Sequence, residues 1–387
     1  MINVINVITD SNIGGAGLVL VNFMRRSDKT EFCHRVILPE GAQLTPRLRE
    51  LGIDTLEIPG IDARSFSPGA VRTFHRLFKE LRPDIVHTHA SLSARVAARL
   101  YGRCKTVHTR HCAFDIRRAL TVFPLRALLG AMNNALSDVI IAISPAARDN
   151  LTDMGTSPDK IVTMMNGVEP VPRLTDAEIA AVRAQYGVAD GELVAVLIAR
   201  IETYKGHEYV IDAAARLGDL PLRFIFAGTG SAEAELRESV RARGLDNCVF
   251  TGFVSDVGAL ENIADIQLNA SYGTETSSLA LLEGMSLGVP SIVSDFGGNP
   301  SLVFDGENGI IVPRRDADAL ADAIRRLCED ARLRGQISRR AGEIYAERFT
   351  AQAPVRKVET IYRALAGGGG IDPQTFDLQT KNLEDNK

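Results

Sequence analysis

A chain of 387 residues is longer than one hydrophobic core usually serves, so two domains are expected. Its 45% hydrophobic and 24% charged residues exclude a disordered, collagen-like or disulfide-framed protein. The net charge of −4 hides an asymmetry: residues 1–172 hold 21 Lys+Arg against 16 Asp+Glu, and the remainder holds 23 against 32.

The basic first part can face an anionic partner such as a lipid head group or a sugar phosphate, or it is a surface imbalance. No nucleic acid partner is expected. Cys33, Cys104, Cys112, Cys248 and Cys328 are scattered without CxxC spacing, which argues against disulfides and structural zinc and suits a reducing cytoplasm. Ile2 to Ile8 is apolar, but no basic stretch precedes it and Asp10 interrupts it, so neither an export signal nor a membrane span is expected.

Short apolar runs alternate with helical patterns along the chain, which predicts parallel sheets with crossover helices. The first series places strands at 2–9, 33–38, 55–58, 84–88, 106–109, 139–143 and 161–165. A stretch of proline and charge follows Asn166 to Pro172, where the domain boundary is set. A second series places strands at 193–198, 222–227, 249–251, 266–269, 291–294 and 309–312, with helices at 208–217, 233–243, 279–286, 317–329 and 331–347. The expected domains are 1–170, completed by a helix over 351–365, and 171–350. Four glycines, Gly367 to Gly370, then introduce a polar tail over 366–387 that is expected to be disordered. In doubly wound sheets ligands bind beyond the carboxyl ends of the strands, so the cleft between the domains is the expected site.

The first strand runs into Asp10-Ser11-Asn12-Ile13-Gly14-Gly15-Ala16-Gly17, where small residues and a helix N-terminus can admit a phosphate or merely form a tight turn. The dinucleotide pattern GxGxxG fails, because Leu20 stands at its third glycine. Arg200 and Lys205 follow the strand 193–198, where a diphosphate can collect both cations; two solvated loop charges are the alternative. Gly228 and Gly230 form a second close-approach turn at the same sheet edge.

The strongest signal is the stretch Tyr272 to Met285, in which Glu275 and Glu283 are separated by seven residues. Glu275 lies in a turn, where a carboxylate can accept hydrogen bonds from sugar hydroxyls. Glu283 lies in the apolar helix that follows, suited to gripping two ribose hydroxyls. Amides from Thr276, Ser277, Ser278 and Leu279 can bind oxygens beside them.

These features, with Gly288-Val289-Pro290, Gly297-Gly298-Asn299-Pro300, Pro83 to His89, Val107 to His111 and Asn166-Gly167, resemble the retaining glycosyltransferases of family 4 (glycosyl transferases group 1). The resemblance extends to about Leu365. It implies an α/β protein of the GT-B fold, two Rossmann-like doubly wound domains facing an interdomain cleft, with acceptor bound mainly by the first and nucleotide sugar by the second. By the same resemblance Arg200 and Lys205 neutralise the diphosphate, Glu275 orients the sugar, Glu283 binds the ribose, His111 sits beside the sugar and Gly15 lies near the diphosphate. A histidine at a strand end is otherwise often structural, and His87, His89 and His108 suit that reading better than His111.

Many relatives carry Gly-Phe-Gly or Gly-Phe-Pro where this chain has Thr276-Ser277-Ser278, so the resemblance does not name the sugar. The implied activity is cytoplasmic, at the inner face of the membrane or free of it: transfer from a nucleotide diphosphate sugar, taken as a UDP-sugar, to a saccharide or lipid-linked acceptor. No cofactor is required. A UDP-sugar 2-epimerase of the same fold and a non-catalytic nucleotide-sugar-binding protein are the alternatives. Asp316-Ala317-Asp318 imitates a DxD metal motif but opens a helix, so capping is expected and no metal site. Ile116 to Leu136 carries Arg117, Arg118 and Arg126 among apolar residues, either as a membrane-surface helix or as a core helix with solvated arginines.

Overall fold

The computed structural model describes residues 1–61 and 64–373; the polar tail over 374–387 lies outside the described residues. The chain forms two compact units, one of Met1–Gly167 together with the segment from Ala351, the other of Val168–Thr350.

The first unit is a parallel sheet of β1 (Ile2–Ile8), β2 (Phe32–Pro39), β3 (Asp54–Ile58), β4 (Ile85–His89), β5 (Lys105–Arg110), β6 (Val139–Ala142) and β7 (Ile161–Thr163), in the order β3-β2-β1-β4-β5-β6-β7. Because strand residues alternate between faces, Val4 and Ile8 enter one core while Ile5 and Val7 enter the other. The first core is closed by the helices Gly15–Arg26 and Gln352–Ala366, the latter through Val355, Ile361, Tyr362 and Leu365. Tyr362 also reaches across to His87, its hydroxyl 2.6 Å from Nδ1.

The second unit is a parallel sheet of β8 (Leu193–Ile198), β9 (Leu222–Ala227), β10 (Cys248–Gly252), β11 (Ile266–Asn269), β12 (Ser291–Ser294) and β13 (Gly309–Val312), in the order β10-β9-β8-β11-β12-β13. Each sheet reverses its direction of growth once, at β1/β4 and at β8/β11. Loops leaving those paired strands diverge, and the gap beyond their carboxyl ends is where such sheets bind ligands.

Two expected helices differ. The segment 331–347 is helical only to Ile344 and widens into a π turn, Tyr345–Phe349, which buries both Tyr345 and Phe349; the Tyr345 hydroxyl donates to the Val168 carbonyl at 2.8 Å. The stretch 116–136 is an α-helix only over Leu125–Leu136, since Pro124 bars Phe123 from helical backbone; Arg118–Thr121 is a separate short turn. Among the described residues no helix is long and apolar enough to cross a membrane.

Candidate active site

At the β8/β11 reversal, four loops, those after β8, β9, β11 and β12, are locked to one another by glycine contacts. Gly230 lies so close to Ile201 that a Cβ would meet its carbonyl oxygen at 2.2 Å, which holds the β9 loop against the Arg200 loop. Gly206, at φ +73°, does the same against Ala270, and the Tyr272 amide donates to the Tyr204 carbonyl at 2.9 Å. Gly297 and Gly298 press on the backbone of Glu275 and Thr276; a Cβ on Gly298 would meet the Thr276 carbonyl at 1.6 Å. No side chain fits between these segments, so main chain sets their positions.

Within this frame Lys205 Nζ donates to Glu275 Oε2 at 2.8 Å and to the Thr274 carbonyl at 3.4 Å. The same carboxylate oxygen accepts from Asn269 Nδ2 at 3.0 Å and Ser271 Oγ at 3.0 Å, while Oε1 accepts from the Thr276 amide at 3.2 Å. Glu275 is 7% exposed. Burial alone raises its carboxyl, but the Lys205 charge and the Lys205, Asn269 and Ser271 hydrogen bonds outweigh it and hold the group below its usual value. The carboxylate is therefore an anion at neutral pH.

The other expected residues fall as follows. Arg200 is exposed, its Nη2 donating to the Tyr204 hydroxyl at 2.9 Å. Gly228 and Gly230 line the adjoining turn, where Gly228, at φ +141°, approaches the Ala199 carbonyl. Ser278 spends its hydroxyl as the cap of the helix Leu279–Leu287, accepting from the Leu281 amide, whereas the buried Ser277 hydroxyl has no partner. Glu283 lies in the second turn of that helix, half-buried, and burial raises its carboxyl. Behind it stands Glu261, 1% exposed and with both oxygens unpartnered; burial first, then the Glu283 and Asp256 charges, pushes its carboxyl up to about 10.

His111 and Gly15 belong to the first unit. Gly15 opens its helix with no neighbour within 4 Å of where a Cβ would be, so packing does not demand a glycine there; Gly17 is the packed one, against Leu44. His111 follows β5, and its Nε2 lies 2.8 Å from His89 Nδ1. Burial pushes its imidazole down to about 4, so it is neutral at pH 7. His87 is structural, with one ring nitrogen on Tyr362 and the other 2.6 Å from Thr109 Oγ1. Asp316 caps its helix, accepting from the amides of Asp318 and Ala319 at 3.1 and 2.9 Å.

Sequence reasoning did not single out Asn269, Ser271 or Glu261. A signal existed for Asn269, because Gln267 and Asn269 alternate as polar residues inside an otherwise apolar buried strand.

Comparison with known proteins agrees across both units. The chain matches the model for glycosyl transferases group 1 over residues 178–343 and that for glycosyltransferase family 4 over residues 13–171. It is 32% identical to an alpha-D-kanosaminyltransferase of Streptomyces kanamyceticus over 49% of this chain, and it spans half, 50%, of that relative. It is 29% identical to a GDP-mannose-dependent alpha-(1-6)-phosphatidylinositol dimannoside mannosyltransferase of Mycobacterium tuberculosis, covering 81% of this chain and 86% of the relative. In fold it resembles Anabaena HepE, solved with UDP and glucose, with a TM-score of 0.82 at 20% identity over 94% of this chain and 100% of that one. Matched in both halves and sharing the GT-B fold along nearly its whole length, the chain belongs to the family 4 (group 1) glycosyltransferases, which are retaining enzymes.

Proposed function

We propose that the chain transfers a sugar from UDP-sugar to a saccharide or lipid-linked acceptor in the synthesis of a cell-surface polysaccharide or glycolipid, working at the cytoplasmic face of the membrane. The observation that carries this reading is the buried Lys205–Glu275 pair at the β8/β11 reversal. Lys205 uses two of its three N–H groups inside the protein, which leaves one for a phosphate oxygen. Glu275 Oε1 accepts a single hydrogen bond, which leaves a lone pair for a sugar hydroxyl.

In this reading Arg200 and Lys205 stabilise the negative charge that grows on the diphosphate as the glycosidic bond breaks, and Glu283 holds the ribose. The acceptor hydroxyl attacks from the face the phosphate leaves, and a phosphate oxygen takes its proton. Configuration is retained without a protein nucleophile, so positioning and charge stabilisation supply the catalysis. The donor belongs to the second unit and the acceptor to the first. UDP is taken as the base on the likeness to HepE, solved with UDP and glucose, and GDP, the base named for the mycobacterial relative, is the alternative that the test below separates.

Peripheral membrane contact is supported by an exposed apolar patch in the first unit: Phe123 is 85% and Leu128 65% exposed, next to the exposed Arg117, Arg118 and Arg126. A thermal-shift series with UDP, GDP and dTDP and their sugars tests the donor assignment. UDP and one UDP-sugar should stabilise the protein, and Lys205→Ala should abolish the shift. Stabilisation by GDP alone would overturn the base, and stabilisation by no nucleotide would overturn the site.

A further inference from the structure

Arg95 lies in the first turn of the helix Leu92–Tyr101, which leaves the carboxyl end of β4 in the first unit. The residue is 6% exposed, yet among the described residues its guanidinium finds one acceptor, the Asn133 amide oxygen, which takes Nη1 at 3.1 Å. Nε is buried without a partner, and no carboxylate faces the charge. Arg223 of the second unit shows the ordinary arrangement for a guanidinium away from water, with Glu192 at 3.3 Å.

A second cation adds to the imbalance. Arg110 ends β5, the strand beside β4. Its Nε donates to the Cys112 carbonyl at 3.1 Å and its guanidinium carbon stands 5.0 Å from the centroid of the Phe114 ring, so the fork is held in place while Nη1 and Nη2 stay uncommitted. It too has no carboxylate partner among the described residues. Strand alternation puts buried His108 on the same face of β5 as Arg110. Burial first, and then the charges of Arg95 and Arg110, holds that imidazole well below its usual value, so both arginines bear on one spot. Burial and then the Arg110 charge bring Arg95 itself down to about 10.

Taking a cation out of water costs free energy unless an anion meets it, and a second cation nearby raises the cost. An entering anion relieves both. Two guanidinium forks suit phosphate better than carboxylate: a carboxylate offers two oxygens in one plane and one charge, whereas a phosphomonoester offers three oxygens and close to two charges. Asn133, which holds Arg95, belongs to the helix Leu125–Leu136, and that helix also carries the exposed Leu128 of the apolar patch. The same phosphate chemistry can thus arrive on a soluble molecule or on a lipid.

We propose that Arg95 and Arg110 form a phosphate site in the first unit, which takes the dianionic end of a phosphomonoester, either soluble or anchored in a membrane. The site lies in the other unit from the Lys205–Glu275 pair and stands whether or not the donor reading does.

Calorimetric titration of the full chain with inorganic phosphate and with glycerol 3-phosphate, with and without saturating UDP, tests it. Both should bind, and UDP should displace neither. Arg95→Gln and Arg110→Gln should each weaken the binding about tenfold or more, and Arg110→Gln, at the more exposed position, reads the site alone if the buried variant does not fold. Co-sedimentation with phosphatidylcholine vesicles containing phosphatidic acid separates the sources. Vesicle binding that falls in Arg110→Gln marks a lipid phosphate, and vesicle binding indifferent to that variant, beside a weakened phosphate titration, marks a soluble one. No phosphate binding by the parent, binding that UDP displaces, or binding that neither variant weakens would sink the proposal.

Discussion

Replacing Lys205 by Met, alone and together with Glu275→Gln, measures what the buried pair contributes. At 2.8 Å the Coulomb attraction is about 6 kcal/mol at an effective dielectric of about 20. The side chains are 15% and 8% exposed, so desolvation offsets about half of that attraction, and about 3 kcal/mol is the expected loss when the ammonium goes. Asn269, Ser271 and the Thr276 amide then remain as the carboxylate's donors. For a unit of this size, about 3 kcal/mol corresponds to a fall of roughly 6–12 °C in Tm. Glu275→Gln should cost a similar amount, and the double variant should cost little more than either single one, giving a coupling of about 2 kcal/mol.

The sign with pH is fixed by the depressed carboxyl of Glu275. Its stabilisation is complete above the unfolded-state value and disappears as pH falls through the folded one, so the gap between parent and Lys205→Met should close on acidification below about pH 4. Unfolding of the unliganded protein by heat and by urea supplies the stabilities, and single-turnover transfer supplies the rate, which should drop roughly a hundredfold or more in Lys205→Met. Additive losses in the double variant would refute the reasoning, because they would show that the two side chains do not sense each other.

Further expectations follow from particular contacts. Glu261→Gln should stabilise the protein increasingly from pH 5 to pH 8: the folded chain holds a proton there that the unfolded chain releases, so parent stability declines by up to about 1.4 kcal/mol per pH unit and the variant's does not. Parallel Tm–pH curves for the two proteins would contradict this. Gly298→Ala must displace the Thr276 carbonyl, and should weaken UDP-sugar binding at least about tenfold by calorimetry while the far-ultraviolet spectrum persists. Phe123→Ser with Leu128→Ser should abolish sedimentation with anionic vesicles and spare transfer to a soluble acceptor; unchanged sedimentation would remove the patch from the membrane reading. Tyr362→Phe leaves His87 Nδ1 without its partner in a buried site and should cost about 1–3 kcal/mol in urea unfolding.

The strands were legible where burial on both faces writes a continuous apolar run, as in Val139–Ala142 and Leu193–Ile198. Ends were less so. Nothing in the composition of 331–347 distinguishes an α turn from the π turn at Tyr345, because the difference is decided by the Val168 carbonyl that the Tyr345 hydroxyl reaches. The polar residues of the candidate site were legible as a motif, but their partners were not. Lys205 and Glu275 stand 70 positions apart and His89 and His111 stand 22 apart, and only the parallel registers bring them together. Ser278 shows the reverse failing: a hydroxyl in a suggestive position is consumed by the first turn of its own helix.

The glycine contacts at Ile201, Ala270 and Thr276 mean that the loops of the second unit meet there main chain to main chain. Scaffold and selectivity are thereby written in separate alphabets: carbonyls and missing Cβ atoms fix where the Thr276 backbone stands, and the Ser277 hydroxyl takes no part in that contact. Under the proposed donor site, an exchange at Ser277 changes the group offered to the sugar without shifting the loop backbone. The unpartnered hydroxyl of Ser277 is one such open letter.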